Sequence, residues 1–344
     1  MAEKQRNSSI ELLRILATVM VISVHFSIWY IPMDSFSFTL SDISRVSIGA
    51  WGIVSVNCFL IISGWYGIHL KLKSVWKMAE MLFVVFVPFY LASCIMGKDV
   101  LSVNRLTESL MVFSSTNYYV QDYMMLMFLS PVLNAFVEKY RGKMLKWVLM
   151  FAFLLFWMCC VRTKNDLLFM HAGQTLIHFV LIYLMARTAS EYKDVIVRKK
   201  ASFYFGIYAA CTVVIAVMGA CRLRWWCYFD NPFILLSSFC LFFGFLKLEI
   251  RSRVVNFLAG SVFTAYLVHT TQPALDYLRD WDNQLFADYP YEIYFFMMWA
   301  IVIGVVLLSI FYDKLLRGVI LAPVSTFLFN KISNIGFMKK NLLD

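Results

Sequence analysis

Ten apolar runs follow one another along this 344-residue chain, each near the 20 or so residues a helix needs to cross lipid. They cover residues 10–33, 47–69, 75–97, 118–137, 144–161, 173–189, 201–221, 232–248, 254–278 and 292–313. Hydrophobic residues make up 61% of the chain and charged ones 15%, so a soluble domain would lack the polar surface to cover its outside. The expected fold is therefore all-α: one polytopic membrane domain over residues 1–344, with about ten transmembrane helices and no fixed-period repeat. The first run is long, contains Arg14 and His25 and has no small-residue cleavage site. It reads as a permanent span rather than a removed signal.

Charge supplies an independent test of the count. With the N-terminus inside, 22 of the 31 Lys and Arg fall in the inner segments and eight in the outer ones, and the last is Arg14 itself. That asymmetry follows the positive-inside rule and places both termini in the cytoplasm, with the protein multi-pass in the cytoplasmic (inner) membrane. The net charge of +10 does not point to nucleic acid, because the cations lie in short clusters between spans. Loops are short except at 98–117, where Leu101–Phe113 reads as an interfacial amphipathic helix, and a basic tail follows about residue 320. Six of eight cysteines sit within runs as small hydrophobes. Cys221 and Cys227 flank an outer connection that would permit a disulfide, and no spacing suggests a metal site.

The chemistry lies in the polar residues that the runs contain. A charged side chain at the centre of a membrane helix costs roughly 2.5–3.5 kcal/mol on insertion scales, so such groups are rare and usually functional. Arg14 and His25 are eleven residues apart, which on an α-helix returns His25 to within about 20° of Arg14, about 16 Å further along one face. Glu11 sits one turn before Arg14. His269 in the ninth run, His178 in the sixth and Asp122 in the fourth are expected at a depth similar to His25, facing one another or a wet cavity. Each has a plainer reading: an intramembrane His is more often an interhelical hydrogen-bond partner than a catalyst, and Asp122 is near enough to the surface to be solvated. His69 falls at an inner helix end and His171 in an outer loop, and neither suggests chemistry. Ser63-Gly64 in the second run is a small-residue site for close helix approach, with passage of a substrate as the alternative.

These residues belong to a longer pattern. Glu11-Leu-Leu-Arg14 with His25, Val56-Asn-Cys-Phe-Leu-Ile-Ile-Ser-Gly64-Trp-Tyr, Tyr118-Tyr with Leu129-Ser-Pro-Val-Leu-Asn134, Ile177-His-Phe-Val-Leu-Ile-Tyr183 and Ala259–His269 run the length of the chain. In them the chain resembles the acyltransferase family 3 membrane proteins, which acylate carbohydrates. The resemblance implies an acyl-CoA donor, most often acetyl-CoA, as co-substrate with no permanently bound cofactor. It implies a carbohydrate acceptor bearing a free hydroxyl, in an envelope or exported polysaccharide or its lipid-linked precursor. On that reading His25 is the general base or a transient acyl carrier. Arg14, with Glu11, Ser63 and Gly64, lines the donor's path, and Asn57, Asp122, His178 and His269 form a supporting polar cluster. Membrane lipid, a homodimer and polysaccharide-assembly proteins are the other partners it allows. Many relatives have Asp where Asn57 stands and Trp near Tyr118-Tyr119, which bears on the acceptor. Some carry an extracytoplasmic esterase-like domain that these 344 residues leave no room for. Two other functions fit the same polar interior: an exporter or flippase of a polysaccharide or lipid-linked sugar, and a non-catalytic subunit of a polysaccharide synthesis complex.

Overall fold

A computed structural model of the chain describes residues 7–31, 36–110, 118–143, 145–160, 171–223 and 225–333. Every regular element among them is helical. The order is α1 (Ser8–Val24), a π-helical turn (His25–Trp29), α2 (Leu40–Gly52), α3 (Ser55–Tyr66), α4 (Leu72–Ile95), α5 (Val103–Leu110), α6 (Tyr118–Lys139) and α7 (Leu145–Cys160). There follow α8 (Leu176–Glu191), α9 (Lys193–Ile196), α10 (Ala201–Ala220), α11 (Pro232–Leu246), α12 (Arg253–Ala259), α13 (Val262–Thr270), α14 (Gln272–Asp288) and α15 (Tyr291–Asp313). A second π-helical turn (Lys314–Leu321) leads into α16 (Ala322–Ser333).

Each of the ten apolar runs carries a helix, but among the described residues six are long and apolar enough to cross a membrane. They are Ser8–Trp29, Leu40–Tyr66, Leu72–Ile95, Tyr118–Lys139, Ala201–Ala220 and Tyr291–Lys331. A seventh is counted if Arg253–Thr270 and Ala274–Asp288, bent by 72°, form one broken span. The helices α7, α8 and α11 have only 16, 16 and 15 residues. At 1.5 Å per residue each covers about 24 Å or less, short of the roughly 30 Å hydrocarbon thickness. Two runs depart further from the expectation. The second begins earlier, at Leu40, and is interrupted between Gly52 and Ser55. The ninth breaks at Gly260-Ser261 and again at Thr271, and its continuation is the polar helix α14 rather than a loop. Residues 32–33, 111–113 and 161, together with Arg162, Lys164, Arg224 and the tail beyond 333, lie outside the described residues.

Local chemistry sets the helix ends and repairs the interruptions. Asn7, Thr39, Asn231 and Ser252 cap α1, α2, α11 and α12, each accepting a first-turn backbone N–H. Two prolines lie inside helices, where each withholds the N–H that the carbonyl four residues earlier needs. For Pro131 that carbonyl is Met127, and Ser130 donates its hydroxyl to it at 2.7 Å. For Pro88 it is Val84, which accepts from the Tyr312 hydroxyl at 2.6 Å. No water is at hand in the bilayer core, and both substitutions come from the protein itself.

α1 runs through the middle of the assembly, in contact with α2, α3, α11, α12, α13 and α15. Small residues permit the closest approaches. A Cβ at Gly52 would stand 2.9 Å from the Met20 carbonyl of α1, and one at Gly64 would stand 2.7 Å from the Tyr183 carbonyl of α8. Gly52 therefore draws α2 against the last turns of α1, and Gly64 seats α3 on α8.

Candidate active site

His25 is the first residue of the π-helical turn, whose wider register is marked by Tyr30 N–H bonding the His25 carbonyl at 2.8 Å. Single π-turns inside α-helices are uncommon and recur at functional sites. Here the turn sets the His25 and Trp29 rings one above the other, 5.1 Å apart, with Tyr30 at 5.6 Å. The His269 ring meets His25 edge-on at 5.0 Å. His269 donates from Nδ1 to the Ala265 carbonyl at 3.2 Å, since a carbonyl can only accept. Its Nε2 therefore carries a lone pair, buried and without a hydrogen-bond partner. Two imidazoles from α1 and α13 thus pack against each other, and one of them keeps an unused basic nitrogen.

A cavity of about 320 Å³ opens over His25, lined also by Trp29, Tyr30, Ser55, Tyr118, Gln174, Tyr266, Thr270 and Arg279 among others, with His269 behind the His25 ring and outside the lining. Val21, Val24, Ile53, Val56, Phe229 and Leu275 complete the lining, so the cavity is mainly apolar and aromatic with a few hydroxyl, amide and guanidinium groups.

A second and larger cavity, about 600 Å³, is lined by Arg14, Ser63, His69, Lys77, Tyr119, Tyr123, Gly260, Tyr266 and Arg317 among others. Arg14 is held by Glu11 at 3.4 Å, with about a third of its side chain open. Arg317 comes from the second π-helical turn and is gripped by buried Asp313 through two bonds, 2.6 and 2.8 Å. Thr264 donates to the same carboxylate at 2.7 Å. Ser63 bonds the Phe59 carbonyl and the Tyr123 hydroxyl. Four basic side chains around one opening make a site for an anion.

Arg14 and His25 thus line different cavities rather than one continuous corridor, and the wall between them is aromatic. Tyr266 lines both. Its ring stacks on Phe263, meets Tyr119 at 5.0 Å and touches His269 at 5.4 Å. The neighbouring tyrosines of α6 divide in the same way, Tyr118 on the His25 side and Tyr119 on the Arg14 side.

The expected polar cluster separates into three. His269 joins His25. His178 pairs with Asn57 at 2.9 Å, while the Asn57 amide donates to the Phe229 carbonyl at 2.9 Å. That linkage ties α3, α8 and the turn before α11, and neither residue is among those lining the two cavities. Asp122, half-exposed on α6, is likewise outside both linings. Gly64 belongs to the α3–α8 contact, so of the Ser63-Gly64 pair only Ser63 reaches a cavity. Arg317, Lys77 and His69 were not singled out in the sequence, because basic residues at the ends of apolar runs look like topological charge. Cys221 and Cys227 are both free thiols.

A family model described as an acyltransferase domain matches residues 7–312, nearly the whole chain. No curated protein and no solved structure matches it.

Proposed function

The chain belongs to this acyltransferase family, and from that premise we propose that it moves an acetyl group from acetyl-CoA to a hydroxyl of an envelope or exported polysaccharide, or of its lipid-linked precursor. The observation that carries this reading is the pair of cavities of opposite chemistry that share the Tyr266 wall. One is cation-lined and suits a phosphorylated donor. The other is aromatic and hydroxyl-bearing, is lined by His25 with His269 behind it, and suits a sugar.

The cation-lined cavity opens on the face that carries the N-terminus, which we assign to the cytoplasm from the Lys and Arg excess there. Arg14, Lys77 and Arg317 would take the donor's phosphates, and Glu11 would keep the Arg14 fork aimed. The narrow pantetheine arm would have to part the Tyr119 and Tyr266 rings, which meet at 5.0 Å and close the wall, to bring the thioester to His25. There a ring nitrogen of His25 accepts the proton of a sugar hydroxyl as its oxygen bonds the thioester carbon. The C–S bond breaks, and the coenzyme leaves as the thiol with the proton returned from the imidazolium. In a two-step variant His25 first takes the acetyl group itself and hands it to the sugar. In either case His269 would steady the imidazolium through its bare Nε2.

Purified protein in lipid nanodiscs, supplied with acetyl-labelled acetyl-CoA and membrane glycans, should place label in glycan and release one free thiol per acetyl moved. The His25→Ala protein, folded to the same degree, should not. Folded wild-type protein that labels no glycan, or a His25→Ala protein at wild-type rate, overturns the reading.

A further inference from the structure

We propose that Arg45 is a positioning residue for the transfer step: its guanidinium clamps the π-helical turn and so fixes where the His25 ring stands. This rests on His25 acting at the acyl centre, as proposed above.

A π-register changes which carbonyls go unpaired. In it the Ser27 carbonyl would look five residues ahead, to position 32, which is Pro and has no N–H. A carbonyl left without a partner at so buried a residue is costly where water cannot reach it. Arg45, 4% exposed on α2, fills the gap: its Nε donates to the Ser27 carbonyl at 2.8 Å, and its Nη2 donates to the Ile31 carbonyl. The carbonyl between them, Tyr30, accepts from Asn283 of α14. Three carbonyls in and just after the His25 turn, at positions 27, 30 and 31, are thus held by side chains from two other helices.

A neutral cap would satisfy one carbonyl without bringing a charge inside. The planar guanidinium reaches two carbonyls four residues apart with fixed geometry, which Lys or Asn cannot match. Its neighbours come from the helices packed on this end of α2: the Phe286 ring lies 5.3 Å from the guanidinium carbon, and on the same helix α14 Asp282 is fully buried and accepts from the Tyr294 hydroxyl at 2.9 Å. Gly52, about two turns further on, lets α2 lie close to α1. Arg45 lines neither cavity, so its effect on substrates passes through the turn.

The test compares Arg45→Lys with wild type in nanodiscs by kcat, donor KM, melting temperature and the ring resonances of ¹⁵N-histidine. Displacing a reacting group by about 1 Å costs on the order of 100-fold in rate, so we expect kcat to fall at least about 30-fold. Donor KM should stay within about twofold, melting within a few degrees, and the His25 resonances should move while His178 stays put. Asn283→Ala, at an exposed side chain, should lower kcat about threefold in the same pattern and decides the matter if Arg45→Lys does not accumulate. Wild-type kcat with unmoved His25 resonances overturns the inference, as does a loss in which kcat, donor KM and melting decline together. Should His25→Ala prove fully active while Arg45→Lys shifts the His25 resonances, the clamp stands and the role of His25 falls.

Discussion

The two ends of α1 are built on opposite plans. At Arg14 the helix is regular, the guanidinium is about one-third open, and its partner Glu11 is a neighbour on the same helix. At His25 the helix changes register, the Ser27, Tyr30 and Ile31 carbonyls that follow are bonded by side chains of α2 and α14, and its ring is set against an imidazole from α13. One end can yield to a charged molecule arriving from water. The other is cross-braced, as a reacting group must be when small displacements cost rate. A membrane acyltransferase needs both, because its donor enters from one solvent and its bond-making atom must not wander.

The largest expected effects would separate the two ends. His25→Ala should lower kcat by about 1,000-fold, within the usual 10²–10⁴ for a lost general base, and leave donor affinity unchanged. Arg14→Ala should weaken binding of a non-transferable acetyl-CoA analogue by about 10- to 100-fold, the worth of a charge-assisted hydrogen bond, with kcat at saturating donor near wild type. Titration calorimetry in nanodiscs beside steady-state rates reads both. Equal loss of binding and turnover in the two variants would erase the distinction between the ends.

A smaller effect tests the wall between them. Tyr266 lines both cavities, so Tyr266→Ala should join them and admit water to the thioester. Acetyl-CoA hydrolysis without acceptor should rise about three- to tenfold while transfer falls by a similar factor. Unchanged hydrolysis would mean that the ring does not separate the chambers.

Below that comes a change that should touch neither end. Asn57→Leu removes the bond to His178 and the donation to the Phe229 carbonyl, and should cost about 1–2 kcal/mol of stability. The variant should melt several degrees lower, and the protein that remains folded should turn over at the wild-type rate. A specific loss of kcat would bring the His178 linkage back into the chemistry.

What could be read in the sequence followed from the price of burying charge in lipid. Arg14 and His25 stood out because nothing else in an apolar run of that length needs them; the helix between them stays α up to Val24, yet the two line different cavities. His269 could be matched to His25 by depth alone. The π-turn could not be seen, because which carbonyl an N–H takes there is decided by Arg45 and Asn283, 18 and 253 residues from their partners. Pro32 was the only local sign. Arg45 resembled a loop cation until α14 folded over it. His178 and Asp122 were at suitable depths but on other faces, and depth without azimuth does not bring side chains together.

The smallest effect concerns Cys221 and Cys227, far from either end of α1 in the chain. Cys221 is exposed, whereas burial pushes the Cys227 thiol up to about 11. The thiolate is the form that attacks, so at pH 7–8 only about one Cys227 in a thousand or fewer would be reactive. Maleimide should therefore label Cys221 within minutes and Cys227 only slowly, with the Cys227 rate climbing as pH rises towards 11 and falling as it drops. Mobility on non-reducing gels should be the same with and without reductant. Rapid labelling of both at pH 7 would show that the turn before α11 opens readily. Since that turn also supplies the Phe229 carbonyl to Asn57, such opening would extend the yielding character of the Arg14 end to the scaffold beside the His25 cavity.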